Sequence, residues 1–461
     1  MTPFRTSDRP WLKAAPDAAA RCGASLTAAG FALLMAWGAV LPSNAVALNT
    51  DPPSDDAELI LTPAEVSLAR ELSPVPSMPS DPTNAVADDP RAARFGQALF
   101  FDTRLSGPGD VACVTCHQPD LGFGDGRPVA MAISEHTRHS MTLWNVGYQR
   151  WFFWDGRKDS LWSQALAPFE DPREHGTSRL GVLHVVAEDP AYKAAFEELF
   201  GPLPDLRDGA RFPDHGRPVP DDDEHPHAVA WNAMEPADRQ AVDQSYASIG
   251  KAIAAYERLL VSSASPFDAF VRQLGDRPGG SDGGEPVSLS PSAQRGFSLF
   301  VGRGQCLVCH DGALFTDLEF HSNRLGAGAH PDPGRAKGII DLRADPFNSA
   351  SAFADDDGRT GRTRMKVAPK DFHIPGDYKT PSLRNVAVTA PYMHDGRFAT
   401  LEDVIDFYST LEDAAPMHPG GETIVQPRHF TDGEKADLLA FLRSLTDTTL
   451  DESLKHAPDG F

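Results

Sequence analysis

Apolar residues along the chain recur mostly at helical spacing. Val242, Tyr246, Ile249, Ile253, Tyr256 and Leu260 trace one stripe, which predicts a long helix with a single buried face. Thr431, with Glu434 three residues later, is a capping-box signature ahead of Leu438, Leu439, Leu442 and Leu445. Ser290 followed by Pro291 opens another helix. Thr400 opens one more, in which Leu401, Val404, Ile405, Tyr408 and Leu411 share an inward face. Alternating strand patterns are scarce, so the expected fold is mainly α. Gly96-Gln-Ala-Leu99-Phe100 and Gly296-Phe-Ser-Leu299-Phe300 read as one helical segment used twice.

Breakers divide this pattern. Gly201 to Ala241 and Ala327 to Asp377 are rich in Pro, Gly and Asp and read as surface loops. The first contains Asp221-Asp-Asp-Glu-His-Pro-His227, which lacks a ligand spacing imposed by a helix or turn and so reads as solvated rather than metal-binding. Gly275 to Gly284 has no apolar period and marks a boundary. At the start, the apolar run Arg21 to Leu41 follows Arg9 and Lys13 and precedes the small residues Ser43 to Ala47, as in a secretory signal. The expected organisation is a signal peptide over 1–47, a domain over 48–275, a linker over 276–288, a domain over 289–448 and a tail over 449–461. With the signal removed, no membrane anchor is expected.

Two pentapeptides give the units their chemistry. Cys113-Val-Thr-Cys116-His117 and Cys306-Leu-Val-Cys309-His310 use every cysteine except Cys22, which precedes the apolar run. In such a motif two thiols form thioethers to a haem and the next imidazole binds its iron. A zinc site would need four ligands closed in one place, and a redox dithiol has no use for the histidine. Two cytochrome c-like domains, each with one covalently attached haem c, are therefore expected. Thioether chemistry and the signal together suggest a bacterial periplasm. The net charge of −23 becomes −25 once four basic and two acidic signal residues are lost. That balance disfavours nucleic acid as a partner and suits a basic redox protein or a neutral substrate.

The segment Trp151-Phe-Phe-Trp-Asp-Gly-Arg157 through Pro168, with Thr380-Pro-Ser-Leu-Arg-Asn385 and Pro391-Tyr-Met-His-Asp-Gly396, flanks the haem motifs in an order that resembles the bacterial dihaem cytochrome c peroxidase and MauG family. The Phe-Phe-Trp-Asp-Gly-Arg wording and the Ser248 to Glu257 helix are most similar to MbnH-type members. The resemblance implies that His117 is the proximal ligand of a peroxide-reactive haem, with Gln164, Pro168 and Glu174 on its distal side and Trp154 between the haems. Glu174 would move peroxide protons. His136 lies in the loop that caps this haem in the ordinary peroxidases. Tyr408 stands fourteen residues after His394, where those peroxidases place a methionine ligand and MauG-like enzymes a tyrosine. Tyr408 with His310 would then ligate the second iron, against the competing Met393, Met417 and Met365. The resemblance also implies a calcium ion between the haems: Thr389 and Pro391 match two carbonyl ligands, but the family's asparagine position is His139, a poor donor for a hard cation.

The expected function is a hydrogen peroxide-dependent enzyme whose high-valent dihaem state oxidises a secreted partner protein at an aromatic side chain such as tryptophan. One alternative is a cytochrome c peroxidase drawing electrons from a small redox protein. Another is a noncatalytic dihaem electron carrier.

Overall fold

Prolines and side-chain caps set where the helices begin. In the computed structural model, which describes residues 60–275, 289–325, 332–367, 376–415, 424–447 and 449–461, the elements run α1 (Pro63–Glu71), α2 (Pro90–Phe101), α3 (Cys113–Cys116), α4 (Leu161–Glu170), α5 (Arg179–Glu188), α6 (Pro190–Phe200), α7 (Pro226–Ala233), α8 (Pro236–Glu257), α9 (Pro266–Gly275), α10 (Pro291–Val301), β1 (Phe320–His321), α11 (Arg335–Ala344), α12 (Arg359–Val367), β2 (Tyr378–Lys379), α13 (Leu401–Thr410) and α14 (Asp432–Arg443). The expected signal segment, Cys22, the linker 276–288 and Met417 lie outside the described residues. Thr431 and Glu434 make both halves of their capping box, Thr400 does the same with Asp403, and Ser290 accepts from Ala293 N–H. The only sheet among the described residues is β1 with β2, antiparallel, pairing Phe320 with Lys379 and His321 with Tyr378. The fold is thus mostly helical.

Two helix pairs carry the duplication. α2 crosses α8 where Gly96 meets Ala252, and α10 crosses α14 where Gly296 meets Asp437. A Cβ on either glycine would fall 1.9 Å from a carbonyl oxygen, so only glycine permits these crossings. A second repeat, absent from the sequence reading, follows each haem motif. Asn145 and Asn385 adopt left-handed backbones (φ 58° and 61°) ahead of the short 3₁₀ turns Val146–Tyr148 and Val386–Val388. Phe152 then bridges Lys158, Tyr392 bridges Phe398, and a capped helix begins at Ser160 or Thr400. In this register Trp154 corresponds to His394, and Pro168 to Tyr408.

The two apolar cores do not follow the expected division at 276–288. The first gathers α2, α4, α5 and α8, but takes Phe347, Leu450, Leu454 and Phe461 from beyond it. The second gathers α1 and α9 with α10, α13 and α14. Phe267 of α9 packs against Phe297, Phe315 and Phe441. Asp268 is fully buried against Arg384, at 2.8 and 2.9 Å. An amphipathic stripe shows that a helix has a buried face, not which core receives it.

The two expected loops also contain helices. His225 caps α7 by accepting from His227 N–H, with Pro226 at the first turn. α11 buries Arg335, Gly338, Ile339 and Leu342. No helix among the described residues is long and apolar enough to cross a membrane.

Candidate dihaem centre

Each pentapeptide opens onto a cavity. Cys116 and His117 line the first. Cys306, Cys309 and His310 line the second. Cys113 packs against the first core. Among the described residues no disulfide joins the four cysteines. The two histidines are oriented alike: His117 Nδ1 lies 3.0 Å from Phe123 O, and His310 Nδ1 lies 3.0 Å from Phe315 O. Both phenylalanines have positive φ, 59° and 53°. With Nδ1 held by a carbonyl, Nε2 is the atom left to bind a metal. Paired thiols beside an imidazole so fixed, at the edge of a large, mostly apolar cavity, fit a haem c at each site.

The first cavity holds most of its expected distal groups. Gln164 and Glu174 line it with His136. Buried Gln164 Oε1 and His136 Nε2 have no hydrogen-bond partner among the described residues. His136 Nε2 lies 3.7 Å from Glu174 Oε1 and 4.0 Å from Asp171 Oδ2. Burial, then the nearby Asp171 carboxylate, raises Glu174 to about 7. Burial, then the Arg173 and Arg157 cations, lowers His136 to about 4, so it stays neutral at ordinary pH. Pro168 sits one turn after Gln164 on α4, its carbonyl accepting from His175 N–H. It is not among the residues lining the cavity.

Trp154 lies in the partition. It lines both cavities, as do His139, Met141, Thr142, Lys379 and Pro381. Its indole Nε1–H donates to His139 O at 3.0 Å, and its ring meets the His394 ring edge-on at 6.5 Å. His394 in turn stacks on Tyr378 at 3.7 Å. Arg335 donates from one guanidinium nitrogen to Asp155 O (3.0 Å) and Gly156 O (2.6 Å). The same guanidinium packs between the Phe320 and Trp151 rings, at 3.9 and 4.6 Å. Arg138 pairs with Asp155 at 2.7 Å. The turn carrying Trp154 is therefore clamped from several sides.

Tyr408 lines the second cavity with His310. Burial, then the Cys306 and Cys309 sulfurs, raises its hydroxyl above the ordinary value, against a hydrogen bond from Asn323. A phenol there ionises only against a cation such as iron. Met393 also lines this cavity, with its sulfur 3.7 Å from Asn323 Nδ2. Met365 packs instead beside Trp151 and Phe320.

Three buried groups near the site were missed. Among the described residues Lys379 Nζ donates only to neutral acceptors, Gln149 Oε1 (2.8 Å) and Trp151 O (3.1 Å); burial lowers it to about 7. An ammonium beside both cavities without a carboxylate suits a haem propionate. Glu257, raised by burial to about 8, shares the surroundings of Cys113. Arg335 lay in a presumed loop. The Tyr378-Lys379-Thr380 wording gave no sign that the lysine would be buried.

Comparisons with known proteins agree with this geometry. The model of the dihaem cytochrome c peroxidase family matches residues 90–276. The chain is 33% identical to the cytochrome-c peroxidase IdrP1 of Denitromonas iodatirespirans over 82% of its own length and 86% of that protein. It is 30% identical to the methylamine utilization protein MauG of Methylorubrum extorquens over 90% of its length and 94% of that protein. Among solved structures, a MauG-like protein associated with microbial copper homeostasis is 26% identical with a TM-score of 0.57, the match covering 83% of this chain and 98% of that one. The chain belongs to the dihaem cytochrome c peroxidase and MauG family, and is a peroxide-dependent dihaem oxidoreductase.

Proposed function

We propose that the chain is a periplasmic enzyme with two covalently attached haems c, which uses hydrogen peroxide to oxidise a secreted partner protein at an aromatic side chain such as tryptophan. When bound, haem iron would supply the peroxide-binding and redox chemistry at the first cavity and hold a further oxidising equivalent at the second. Cys113, Cys116 and His117 would hold the first group; Cys306, Cys309, His310 and Tyr408 the second. Reducing one peroxide to two waters takes two electrons and two protons, so the partner gives up two electrons. Glu174 accepts a peroxide proton and returns it to the leaving oxygen, with Gln164 orienting the bound oxygens. His136, neutral and 3.7 Å from Glu174, borders the same proton path. Trp154 relays electrons across the partition it shares with both cavities. The substrate protein then need not enter either cavity.

The observation that carries the choice is Tyr408 in the cavity of His310, Cys306 and Cys309. A phenolate is a hard anionic donor that stabilises oxidised iron, whereas a thioether raises the potential and favours electron uptake. Met393 in the same cavity favours a second reading, peroxide reduction with electrons from a small redox protein. The resting ferric spectrum separates the two. We expect one high-spin and one low-spin haem without the near-infrared band of His/Met ligation, and Tyr408→Met to create that band and raise the second potential. A His/Met signature in the unsubstituted protein would establish the peroxidase reading instead.

A further inference from the structure

The interhaem calcium implied by the family does not fit this chain. Calcium asks for roughly six to eight oxygen ligands. Thr389 and Pro391 border the second cavity, but the third corner is filled by the imidazole of His139, only 9% exposed. Its Nδ1 lies 2.8 Å from Arg127 O. Asp125, the carboxylate that acts on this ring, accepts from Arg127 N–H (3.1 Å) and Met131 N–H (3.3 Å). Among the described residues, neither cluster of ligating side chains that could hold an ion includes His139.

The same residue fastens three segments. Its N–H donates to His394 O at 2.8 Å, and its carbonyl accepts from Trp154 Nε1 at 3.0 Å. Its ring reaches the 127–128 loop, whose Pro128 O lies 2.1 Å from where a Cβ on Gly396 would stand. Joining the loops of both haem cavities around the tryptophan is what a bridging ion would do. We propose that His139 replaces the interhaem calcium, so that this enzyme is assembled and held without a divalent cation. The inference concerns how the partition is held and stands whichever partner donates the electrons.

The test uses the purified dihaem protein, passed through EGTA and then calcium-free buffer. Metal analysis should find two irons and no stoichiometric calcium per chain, with the visible spectrum and thermal midpoint unchanged by EGTA or by excess calcium. His139→Asn places a short amide oxygen at this corner. It should take up one calcium per chain, with a midpoint that rises on adding calcium and falls with EGTA. Calcium retained stoichiometrically by the unsubstituted protein, or a resting spectrum altered by chelation, would overturn the proposal. So would a His139→Asn protein that binds no calcium and is as stable as its parent. Should that variant fail to accumulate, the unsubstituted protein decides the matter by itself.

Discussion

Glu174 sets a pH dependence whose size follows from its surroundings. A quarter of its side chain is exposed, and it lines the first cavity; burial and the Asp171 carboxylate raise it from 4.5 to about 7. A raised value favours the protonated acid, so the proton-accepting carboxylate is present above about pH 7 and is lost as pH falls. At pH 5, two units below, about 1 chain in 100 carries the carboxylate, and peroxide should react roughly 100-fold more slowly than at pH 8. With an ordinary glutamate value the same interval would cost less than about 1.5-fold. His136, lowered to about 4, stays neutral across this window and adds no inflection. Glu174→Gln keeps the shape but cannot ionise. Stopped-flow mixing with peroxide from pH 5 to 8 should show its rate lowered by roughly 10² at pH 8 and flat with pH, with the resting spectrum unchanged. A variant that keeps the parent rate, or the inflection near 7, would refute the assignment.

Trp154→Phe removes the 3.0 Å bond to His139 O and the oxidisable indole. It should keep both haems and the resting spectrum while losing partner oxidation by at least about tenfold; unchanged partner turnover would exclude the relay. Arg384→Met strands Asp268 in the second core, where both side chains are 0% exposed. Breaking a buried pair from one side costs roughly 3–5 kcal/mol, so the thermal midpoint should fall by several degrees, and an unaffected midpoint would mean that Asp268 is neutralised at little cost.

What the sequence disclosed depended on whether a residue's environment was local. The helices of Thr400 and Thr431 were legible because a cap and an apolar stripe lie within one short window. The haem motifs were legible because their chemistry needs five consecutive residues. α11 was not: Gly334 provides no side-chain cap at its start, and Gly338, which reads as a breaker, is required where Asp155 O would come within 2.1 Å of a Cβ. α7 was hidden because its cap is a histidine, an uncommon choice where Ser, Thr, Asp or Asn is usual. The burial of Lys379 and the transfer of α9 to the second core depend on contacts distant in sequence, which no local pattern records.

The second repeat was readable and explains how one frame provides two different cavities. Asn145 to Pro168 and Asn385 to Tyr408 keep the same left-handed asparagine, the same Asp-Gly-Arg turn and the same capped helix. They differ at two positions that bear on the proposed chemistry. Where one copy has Trp154, lining both cavities, the other has His394, packed edge-on against it. Where one copy has Pro168, with neither a side-chain donor nor a backbone N–H, the other has Tyr408 in the cavity. In the proposed reading, the copy with a proline would offer its haem no ligand from this position, and the copy with a tyrosine would offer one. The division of labour between the two sites then rests on these few side chains rather than on a difference in backbone.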